Sequence, residues 1–334
     1  MIAIHNSKKG FHQYWIAYCR DNNVPYKLVN AYDSDIVEQL SDCSAFMWHH
    51  HHADYRDALF AKQLLYSLET AGIKVFPDFH TTWHFDDKVG QKYLFEAIGA
   101  PLVPSYVFYT KGEALEWVKA AKFPIVAKLR GGAGSSNVRL LNNFLQAKSY
   151  ISKAFGKGFP AYSVNGLLRD SYVKWKEGRG TLKNVIKNIY RLFFPSDFVK
   201  YHSREKGYVY FQDFIPGNLY DIRIVVIGNK AFGIKRLVRE KDFRASGSGM
   251  ICYRREDISD KCVSEAFRIS KILKTQCAGY DFVFDDGVPR IVEVSYGFTA
   301  EGYTNCEGYW TDDMQWHNEP VLPQQWMIEN LLWG

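Results

Sequence analysis

Short apolar runs alternate with amphipathic helical segments over roughly the first 80 residues. The runs are too short for helices, and the longer segments between them repeat apolar side chains at helical spacing. This alternation predicts a parallel sheet with helices on its faces, so we expect a three-layer α/β domain over residues 1–85. The predicted strands are Met1–His5, Tyr26–Val29, Ser44–Trp48 and Lys74–Phe76, and the predicted helices are Phe11–Arg20 and Tyr55–Thr70.

Beyond residue 85 the pattern changes to helices that separate antiparallel strand pairs. Residues 86–156 contain a glycine-rich hairpin tip, and residues 207–334 contain a second hairpin. These patterns predict two further units of α+β type. The predicted helices are Asp86–Ile98, Glu113–Ala121, Asn143–Phe155 and Ser259–Thr275. The predicted strands are Ser105–Tyr109, Phe123–Leu129, Val138–Leu141, Tyr208–Gln212, Asp221–Ile227, Lys230–Lys235, Ala278–Phe284 and Pro289–Val294.

Residues 157–206 differ from both flanks because they are basic, aromatic and rich in turn residues. They hold 11 Lys and Arg against 4 Asp and Glu, while the whole chain of 334 residues has a net charge of +6. The positive charge therefore lies in this one segment, which we interpret as an insertion. Within it, Thr181–Phe194 repeats apolar side chains on one helix face and basic side chains on another. Such a helix can lie on an anionic membrane, bind an acidic partner, pack on its own domain or form a homodimer interface.

The overall composition is that of a folded protein. Apolar residues make up 47% and charged residues 23% of the chain, which excludes pervasive disorder, a collagen-like chain and a disulfide-stapled miniprotein. The six cysteines lack the close pairs typical of zinc or thioredoxin-like sites. The apolar start is too short for a signal peptide, and no stretch approaches the roughly 20 apolar residues of a membrane span. We expect a cytoplasmic protein, peripheral to the inner face of the membrane if the basic helix binds lipid.

A lysine at a strand end precedes a loop of small residues. Lys128 closes the apolar run that begins at Phe123. The loop residues are Gly131, Gly132, Gly134, Ser135 and Ser136. Backbone N–H groups in such a loop can approach phosphate oxygens because no Cβ intervenes, and the lysine adds positive charge. The loop has neither the Walker A pattern nor the dinucleotide-binding spacing. It is a candidate phosphate site, with an ordinary hairpin turn as the alternative.

Two acidic residues lie on the facing strands of the last hairpin. Glu293 and Ser295 share one face because they are two residues apart, and Asp281 can present its carboxylate there from the partner strand. Oxygen ligands that converge beside a triphosphate suit magnesium, whereas the alternative is a solvated hairpin face. A weaker signal is Gln212–Ile215 followed by Asp221, where backbone could meet an adenine edge and a carboxylate could reach ribose hydroxyls.

Taken in this order, the motifs resemble those of the ATP-grasp superfamily, in the branch of glutathione synthetase and ribosomal-protein glutamate ligase. The resemblance covers residues 87–300, and residues 1–80 are similar to the α/β domain that usually precedes an ATP-grasp domain. It implies an N-terminal parallel-sheet domain followed by a two-subdomain ATP-grasp fold. The matching positions are Asp87–Lys88, Leu94, Gly99, Pro101, Lys128 with the glycine loop, Gln212–Ile215, Asp221–Arg223, Lys235–Arg236, Asp242–Arg244, Asp281 and Glu293–Ser295.

The resemblance implies how the nucleotide would be held. Lys88 and Lys128 would contact the phosphates of ATP, and the glycine loop 131–136 would lie over them. The positions expected to line the adenine pocket are Gln212, Asp213 and Phe214, with Asp221 at the ribose.

It also implies the chemistry. Arg236 and Arg244 would face the phosphates or an acyl phosphate, and Asp281 and Glu293 would hold Mg²⁺, with Mn²⁺ as a possible substitute. This sequence departs from the family at Ser295, where an Asn is usual, so a shorter ligand would act there through water. A second departure is the basic insertion, which compact members of the family lack.

Members of the superfamily transfer the γ-phosphoryl group of ATP to a carboxylate and then let an amine attack the acyl phosphate. We therefore expect an ATP- and magnesium-dependent carboxylate–amine ligase whose partners are a small-molecule or glycan-linked carboxylate and an amine. The aromatic tail and the basic helix suggest a cell-envelope or glycan-related substrate. The alternatives are a small-molecule kinase on the same fold and a nucleotide-binding regulator with weak catalysis. We expect no nucleic acid partner, because no base-reading module is recognisable.

Two further features have open interpretations. His49–His52 follow the third predicted strand, and they suit a polar loop, recognition of an anionic or sugar substrate, or a metal site. The aromatic and polar residues just past the metal strand either stack on a sugar ring or pack the C-terminal tail. These residues are Tyr296, Glu301, Tyr303, Asn305, Tyr309 and Trp310.

Overall fold

The computed structural model of the protein describes three sheets and the helices around them. The described residues are 1–7, 10–132, 137–160, 168, 171–172, 175–176, 178, 180–194, 197–201, 203–238, 244–245 and 247–334, of which 192, 193, 197 and 198 are described by their backbone alone. One sheet is parallel and two are antiparallel, which confirms the predicted α/β class with an α+β part.

The N-terminal part of the chain forms a four-stranded parallel sheet in the order β2-β1-β3-β4. Its elements are β1 (Ile2–His5), α1 (His12–Asp21), β2 (Tyr26–Val29), α2 (Ile36–Gln39), β3 (Ala45–Met47), α3 (Tyr55–Thr70) and β4 (Lys74–Phe76). On α3 the buried residues Ala61, Leu64, Leu65 and Leu68 recur at helical spacing, and they pack in one cluster with Trp48. The sequence pattern did not predict the single-turn helix α2.

The second sheet is antiparallel in the order β5-β8-β6-β7. The elements of this part are α4 (Phe79–Thr82), α5 (Lys88–Ala97), β5 (Ser105–Phe108), α6 (Lys111–Ala120), β6 (Ile125–Lys128), β7 (Val138–Leu141), α7 (Phe144–Ala154), α8 (Leu182–Phe193), α9 (Asp197–Tyr201) and β8 (Val209–Asp213). β8 follows the basic segment in the chain yet pairs between β5 and β6. The boundary predicted at residue 207 therefore cuts this sheet, and Gln212 is brought opposite Val126.

The third sheet is antiparallel and has seven strands. Its elements are β9 (Tyr220–Ile227), β10 (Lys230–Leu237), β11 (Ile251–Cys252), α10 (Asp260–Leu273), β12 (Cys277–Asp285), β13 (Val288–Ser295), β14 (Tyr309–Thr311), β15 (Trp316–His317) and α11 (Pro323–Trp333). Arg223 on β9 lies opposite Asp281 on β12, and Asp281 lies opposite Glu293 on β13. The register therefore places three charged residues in one row across three strands.

The N-terminal sheet and the seven-stranded sheet share one hydrophobic core. Ile2, Trp15 and Phe76 from the first unit lie in the same buried cluster as Phe232 and Trp326. Gln276 also joins the two parts, because its side chain accepts a hydrogen bond from the N–H of Asp78 at 2.9 Å and donates to the carbonyl of Val75 at 2.9 Å. The edge of the parallel sheet is thus held firmly against the sheet that carries Asp281 and Glu293.

Helix α8 confirms the predicted helix in the basic segment but presents its apolar face to solvent. Leu182, Ile186, Ile189 and Tyr190 are 44–58% exposed, and Val185 is buried. Among the apolar residues of this face whose side chains are described, only Val185 is buried against the protein's own domain. No helix in the described ranges is both long enough and apolar enough to cross a membrane.

Candidate functional site

A cavity of about 260 Å³ lies where the end of β3, the connection between α4 and α5, and strands β9, β12 and β13 meet. It is lined by His49, His50, His51, His52, Phe85, Asp86, Arg223, Asp281, Glu293, Val294, Ser295, Gly297, Phe298 and Thr299. A neighbouring cavity of about 220 Å³ shares His50, His52, Phe85 and Asp86 and extends to Arg130 and Gly131. A larger cavity of about 760 Å³ beside α10 and α11 contains none of the residues singled out from the sequence, so the candidate site is the first cavity.

Asp281 is held by two arginines on neighbouring strands. Arg223 donates from Nε and Nη2 to the two oxygens of Asp281, at 2.5 and 2.7 Å. Nη2 of Arg236 lies 3.0 Å from Oδ2 of Asp281. Burial alone would raise the pKa of Asp281, but Arg223 and Arg236 outweigh it and hold the pKa below its ordinary value. Asp281 is therefore ionised while it is buried.

Asp221 completes this cluster from the start of β9. Arg236 donates from Nε and Nη2 to the two oxygens of Asp221, each at 2.7 Å, and both side chains are buried. The pair forms because Asp221 and Arg236 lie opposite each other in the β9–β10 register. The structure thus places Asp221 against an arginine, and its predicted contact with a ribose stays a prediction.

Glu293 is paired with a lysine at the first turn of α5. Nζ of Lys88 lies 3.1 Å from Oε1 of Glu293 and donates to the carbonyl of Gly132 at 2.9 Å. The helix begins there because Asp87 caps it, its side chain accepting a hydrogen bond from the N–H of Gly90. Burial lowers the pKa of Lys88, but the Glu293 and Asp86 carboxylates outweigh this effect and raise it above the ordinary value.

Lys128 lies at the end of β6 and is buried. Its Nζ donates to Oε1 of Gln212 at 2.6 Å and to the carbonyl of Val292 at 3.1 Å. Burial is the main reason why the pKa of Lys128 falls to about 8. Gln212 is fixed in turn by donation from Nε2 to Oγ of Ser105 at 3.0 Å. The predicted phosphate lysine and the predicted adenine residue are thus brought into direct contact.

The other two positions of the predicted adenine pocket lie at the end of β8. Asp213 is the last residue of that strand and accepts a long hydrogen bond of 3.5 Å from the hydroxyl of Tyr106. Phe214 follows it and is half-buried. The two residues therefore lie next to Gln212, and their predicted role stays a prediction.

Asp86 was missed from the sequence, although it joins the glycine loop to the cavity. Oδ1 of Asp86 accepts a hydrogen bond from the N–H of Gly132 at 2.7 Å, and burial raises the pKa of Asp86 to about 6. Gly132 has a φ of +114°, and a Cβ there would lie 2.3 Å from Nδ2 of Asn137. Asp86 itself has a φ of +56°, a conformation that Asp tolerates better than most residues, and no local feature of the sequence indicates it.

Several predicted site residues stand apart from these contacts. Gly131 lines the neighbouring cavity, whereas Gly134, Ser135 and Ser136 lie outside the described residues. Oγ of Ser295 lies at the cavity wall, where it donates to the carbonyl of Gly297 at 3.1 Å. Arg244 is half-buried in the connection between β10 and β11. The roles predicted for these residues stay predictions.

Arg223 was also missed as a site residue. Arg223 is one of the positions that match the family motifs, but its partner could not be predicted, because only the register between β9 and β12 brings it to Asp281.

The aromatic tail has a simpler outcome. Tyr296, Tyr303, Tyr309 and Trp310 are all buried, so they pack the C-terminal part and offer no stacking surface for a sugar ring.

The donor atoms at the cavity fit a hard cation in their chemistry. Asp281 and Glu293 offer carboxylate oxygens from opposite positions on β12 and β13, and Ser295 adds a hydroxyl. Magnesium takes oxygen ligands of this kind and usually keeps several waters. Within the described part of the chain, no group of three or more His, Cys, Asp or Glu side chains is arranged to hold a metal ion. The histidine run His49–His52 therefore forms no such group there.

Comparisons with solved structures identify proteins of the same architecture. The chain superposes over its whole length on a RimK domain protein from Sphaerobacter thermophilus, at 14% identity and a TM-score of 0.59, covering 99% of that chain. It superposes on the biotin carboxylase domain of the Hydrogenobacter thermophilus 2-oxoglutarate carboxylase at 12% identity and a TM-score of 0.59, covering 100% of this chain and 70% of that one.

A third similar structure is the ATP-grasp ligase PsnB in complex with a precursor peptide and AMPPNP. The identity is 13%, the TM-score is 0.54, and the likeness covers 99% of this chain and 98% of that one. No protein-family model and no curated protein sequence matches the chain. At these identities the likeness shows a common fold, and that fold is the one that the resemblance implied.

The buried charge cluster makes a specific prediction about stability. Replacing Asp281 by Asn leaves Arg223 and Arg236 short of countercharge in the interior, which we expect to cost about 3–5 kcal/mol of unfolding free energy. The matched control is Glu265→Gln, which removes a carboxylate from a bidentate pair with Arg268 at the surface and should cost at most about 1 kcal/mol. Urea denaturation measures both, and equal losses would contradict the assignment of Asp281 as a buried anchor.

Proposed function

We propose that this chain, which has the ATP-grasp fold, is an ATP- and magnesium-dependent ligase that joins a carboxylate to an amine through an acyl phosphate. The observation that carries the proposal is the convergence of Arg223, Asp281 and Glu293 on one cavity at the junction of the sheets, with Lys88 paired to Glu293. The similar structures support it, because one of them contains MgADP and bicarbonate and another contains AMPPNP and a precursor peptide.

The nucleotide would lie between the second and third sheets. Lys128 and Gln212, now in contact with each other, would separate so that the lysine meets a phosphate and the amide meets the base. Nζ of Lys88 lies beside Glu293 and the carbonyl of Gly132. From there the ammonium group could move from the carboxylate of Glu293 to the phosphates of a bound nucleotide. Phosphoryl transfer requires positioning and charge stabilisation more than covalent catalysis, and these residues supply both.

The first step would be attack of a carboxylate oxygen of the substrate on the γ-phosphorus of ATP. A new P–O bond forms, the bond to the β,γ-bridging oxygen breaks, and ADP leaves. Arg236 can stabilise the charge that spreads over the transferred oxygens, and Asp221 holds its guanidinium in place. Magnesium, held by Asp281 and Glu293 with Ser295 acting through water, would neutralise phosphate charge.

The second step would be attack of the amine on the acyl carbon. The C–N bond forms, phosphate leaves with the oxygen that bound it, and the amine loses a proton to solvent or to a nearby carboxylate. Asp86 lines the cavity and has a pKa of about 6, raised mainly by burial, so it is a reasonable acceptor for that proton. The buried aromatic tail removes the argument for a sugar-ring substrate, and we propose a carboxylate of small-molecule or peptide size.

The proposal predicts ADP release that depends on an added carboxylate. A panel of small carboxylates and amino acids is screened in a coupled ADP assay, with hydroxylamine as the amine so that an acyl phosphate is trapped as a hydroxamate. Lys128→Met and Glu293→Gln should lower turnover about a hundredfold, since Lys128 would balance charge on the phosphates and Glu293 would hold the magnesium that does so. The matched controls Lys119→Met and Glu265→Gln change exposed or peripheral ion pairs and should keep turnover.

Each alternative has its own signature in this assay. A stable phosphorylated product without hydroxamate would indicate a kinase. Nucleotide binding without any carboxylate-stimulated ADP release would indicate a regulator. Full turnover of either Lys128→Met or Glu293→Gln would contradict the proposed site.

We also propose that α8 binds an anionic membrane surface. Its exposed apolar side chains lie beside Lys183, Lys187 and Arg191, a combination typical of helices that lie in the interface of a bilayer. An apolar face exposed to this extent would otherwise be covered by a second copy of the chain, in which case the protein would be a dimer.

Vesicle flotation distinguishes these two partners. Wild-type protein should float with phosphatidylglycerol vesicles and not with phosphatidylcholine vesicles, and Ile186→Glu should abolish flotation because it puts a charge on the apolar face. Leu59→Glu on α3 is the matched control, since Leu59 is 70% exposed and lies outside the basic segment. Its basic neighbours on the helix, Arg56 and Lys62, are bound by Asp54 and by the carbonyls of Trp83 and Phe85. Equal flotation of wild type and Ile186→Glu, or a dimer that Ile186→Glu dissociates without flotation, would contradict the proposal.

A further inference from the structure

The ring of His49, just after β3, is fixed on three sides. Its Nδ1 accepts a hydrogen bond of 3.1 Å from the N–H of Phe11 at the start of α1. The ring stacks on Phe11 with 3.8 Å between centroids and 11° between planes. Tyr296 packs against it edge-on at 5.7 Å. These contacts set both the position and the rotation of the imidazole.

The backbone before α1 is shaped around this ring. Gly10 has a φ of +100°, and a Cβ there would lie 2.4 Å from Nδ1 of His49. Any other residue would therefore be strained by its conformation and would also collide with the ring. The glycine at position 10 allows the N–H of Phe11 to approach Nδ1 closely enough for a hydrogen bond. A packing contact alone would not require so close an approach.

The hydrogen bond from Phe11 decides where the imidazole proton lies. Since Nδ1 accepts, the neutral ring carries its proton on Nε2. His49 and Gly297 both line the 260 Å³ cavity, and Nε2 of His49 lies 3.3 Å from the ideal Cβ position of Gly297. Among the described residues, none accepts a hydrogen bond from Nε2. Burial lowers the pKa of His49 to about 3, so the ring stays neutral over the working range of pH.

We propose that the Nε2–H of His49 binds the carboxylate substrate in this cavity and orients the oxygen that attacks ATP. The inference rests on the proposed function and adds a substrate-binding residue to it. The cavity is lined by the anionic Asp281 and Glu293 and by the cationic Arg223, whose guanidinium already donates two hydrogen bonds to Asp281. A neutral donor has a chemical advantage here, because a cation bound to the carboxylate would reduce the nucleophilicity of its oxygens.

The same donor suits the acyl phosphate. When the carboxylate becomes an acyl phosphate, its remaining carbonyl oxygen still accepts a hydrogen bond, so Nε2–H can hold the acyl group while the amine attacks. Donation to that oxygen also polarises the carbonyl and stabilises the charge that develops on it. One residue would thereby position the substrate in both steps.

The test uses acetonylphosphonate, a non-hydrolysable analogue of acetyl phosphate, added to the full chain with MgADP. Long-range ¹H–¹⁵N spectra of protein labelled at histidine should show His49 with its proton on Nε2, and the probe should shift that resonance. His49→Asn keeps an acceptor for the N–H of Phe11, but its shorter amide has no N–H at the position of Nε2, and it should weaken probe binding about tenfold.

Two further variants guard against a structural explanation. His5→Asn is the matched control, because Nδ1 of His5 also accepts a backbone N–H, from Ala31 at 3.0 Å, but His5 is not among the residues that line either neighbouring cavity. It should leave probe affinity within about twofold of wild type. Gly297→Ala leaves His49 intact but crowds Nε2, and it should weaken the probe as His49→Asn does.

The outcomes separate this inference from the proposed function. Probe binding that His49→Asn leaves unchanged, or a wild-type protein that binds MgADP but shows no shift of His49 with the probe, would overturn the role of His49 alone. With a carboxylate substrate from the panel, His49→Asn should raise the KM for the carboxylate and leave the KM for ATP unchanged. A protein that binds no MgADP would overturn the proposed function itself.

Discussion

A buried cluster of opposite charges is the constraint on which the rest of the site depends. Arg223, Asp281, Arg236 and Asp221 lie on three adjacent strands, and each guanidinium meets a carboxylate in bidentate geometry. An ion in the interior is costly unless it is paired and hydrogen-bonded. The registers of β9 with β10 and with β12 are therefore tied to one another, because a slip in either would leave a charge without its partner.

This constraint also bears on the nucleotide binding that we propose. The two carboxylates that face the cavity are neutralised by protein cations when no ligand is present, Asp281 by arginines and Glu293 by Lys88. In the proposed function, a nucleotide with its metal would bring anions and a cation together, so the protein charges would exchange partners without any of them being left unpaired. His49, which lines the same cavity and is fixed by the N–H of Phe11, adds an uncharged donor to this set in our proposal.

The elements of the fold could be predicted from local patterns, but their partners could not. The alternation of short strands and helices gave the parallel sheet, and the period of two along β13 placed Glu293 and Ser295 on one face. The pairing of β8 between β5 and β6 depends on contacts between residues about 80 to 110 positions apart in the chain, beyond the reach of a local pattern. Arg223 was missed for the same reason.

Burial was the other quantity that the sequence could not provide. A sequence containing Tyr303 and Trp310 reads the same whether these side chains stack on a ligand or pack in a core. Only the structure shows that they are buried. For α8 the outcome is the opposite. The spacing of its apolar residues suits a packed helix and an exposed one equally well, and the structure shows that most of them are exposed. The conformation of Asp86 and the ring orientation of His49 depend on residues distant in the chain, so no local signal announced them.

The central claim is that the protein activates a carboxylate as an acyl phosphate, and oxygen tracing tests it most directly. The carboxylate found in the ADP-release screen is labelled with ¹⁸O, and the inorganic phosphate from a single turnover with the amine is analysed by mass spectrometry. We expect one labelled oxygen in each phosphate, because the oxygen that attacked the γ-phosphorus leaves with it. Phosphate without label, or label recovered in AMP, would contradict the account.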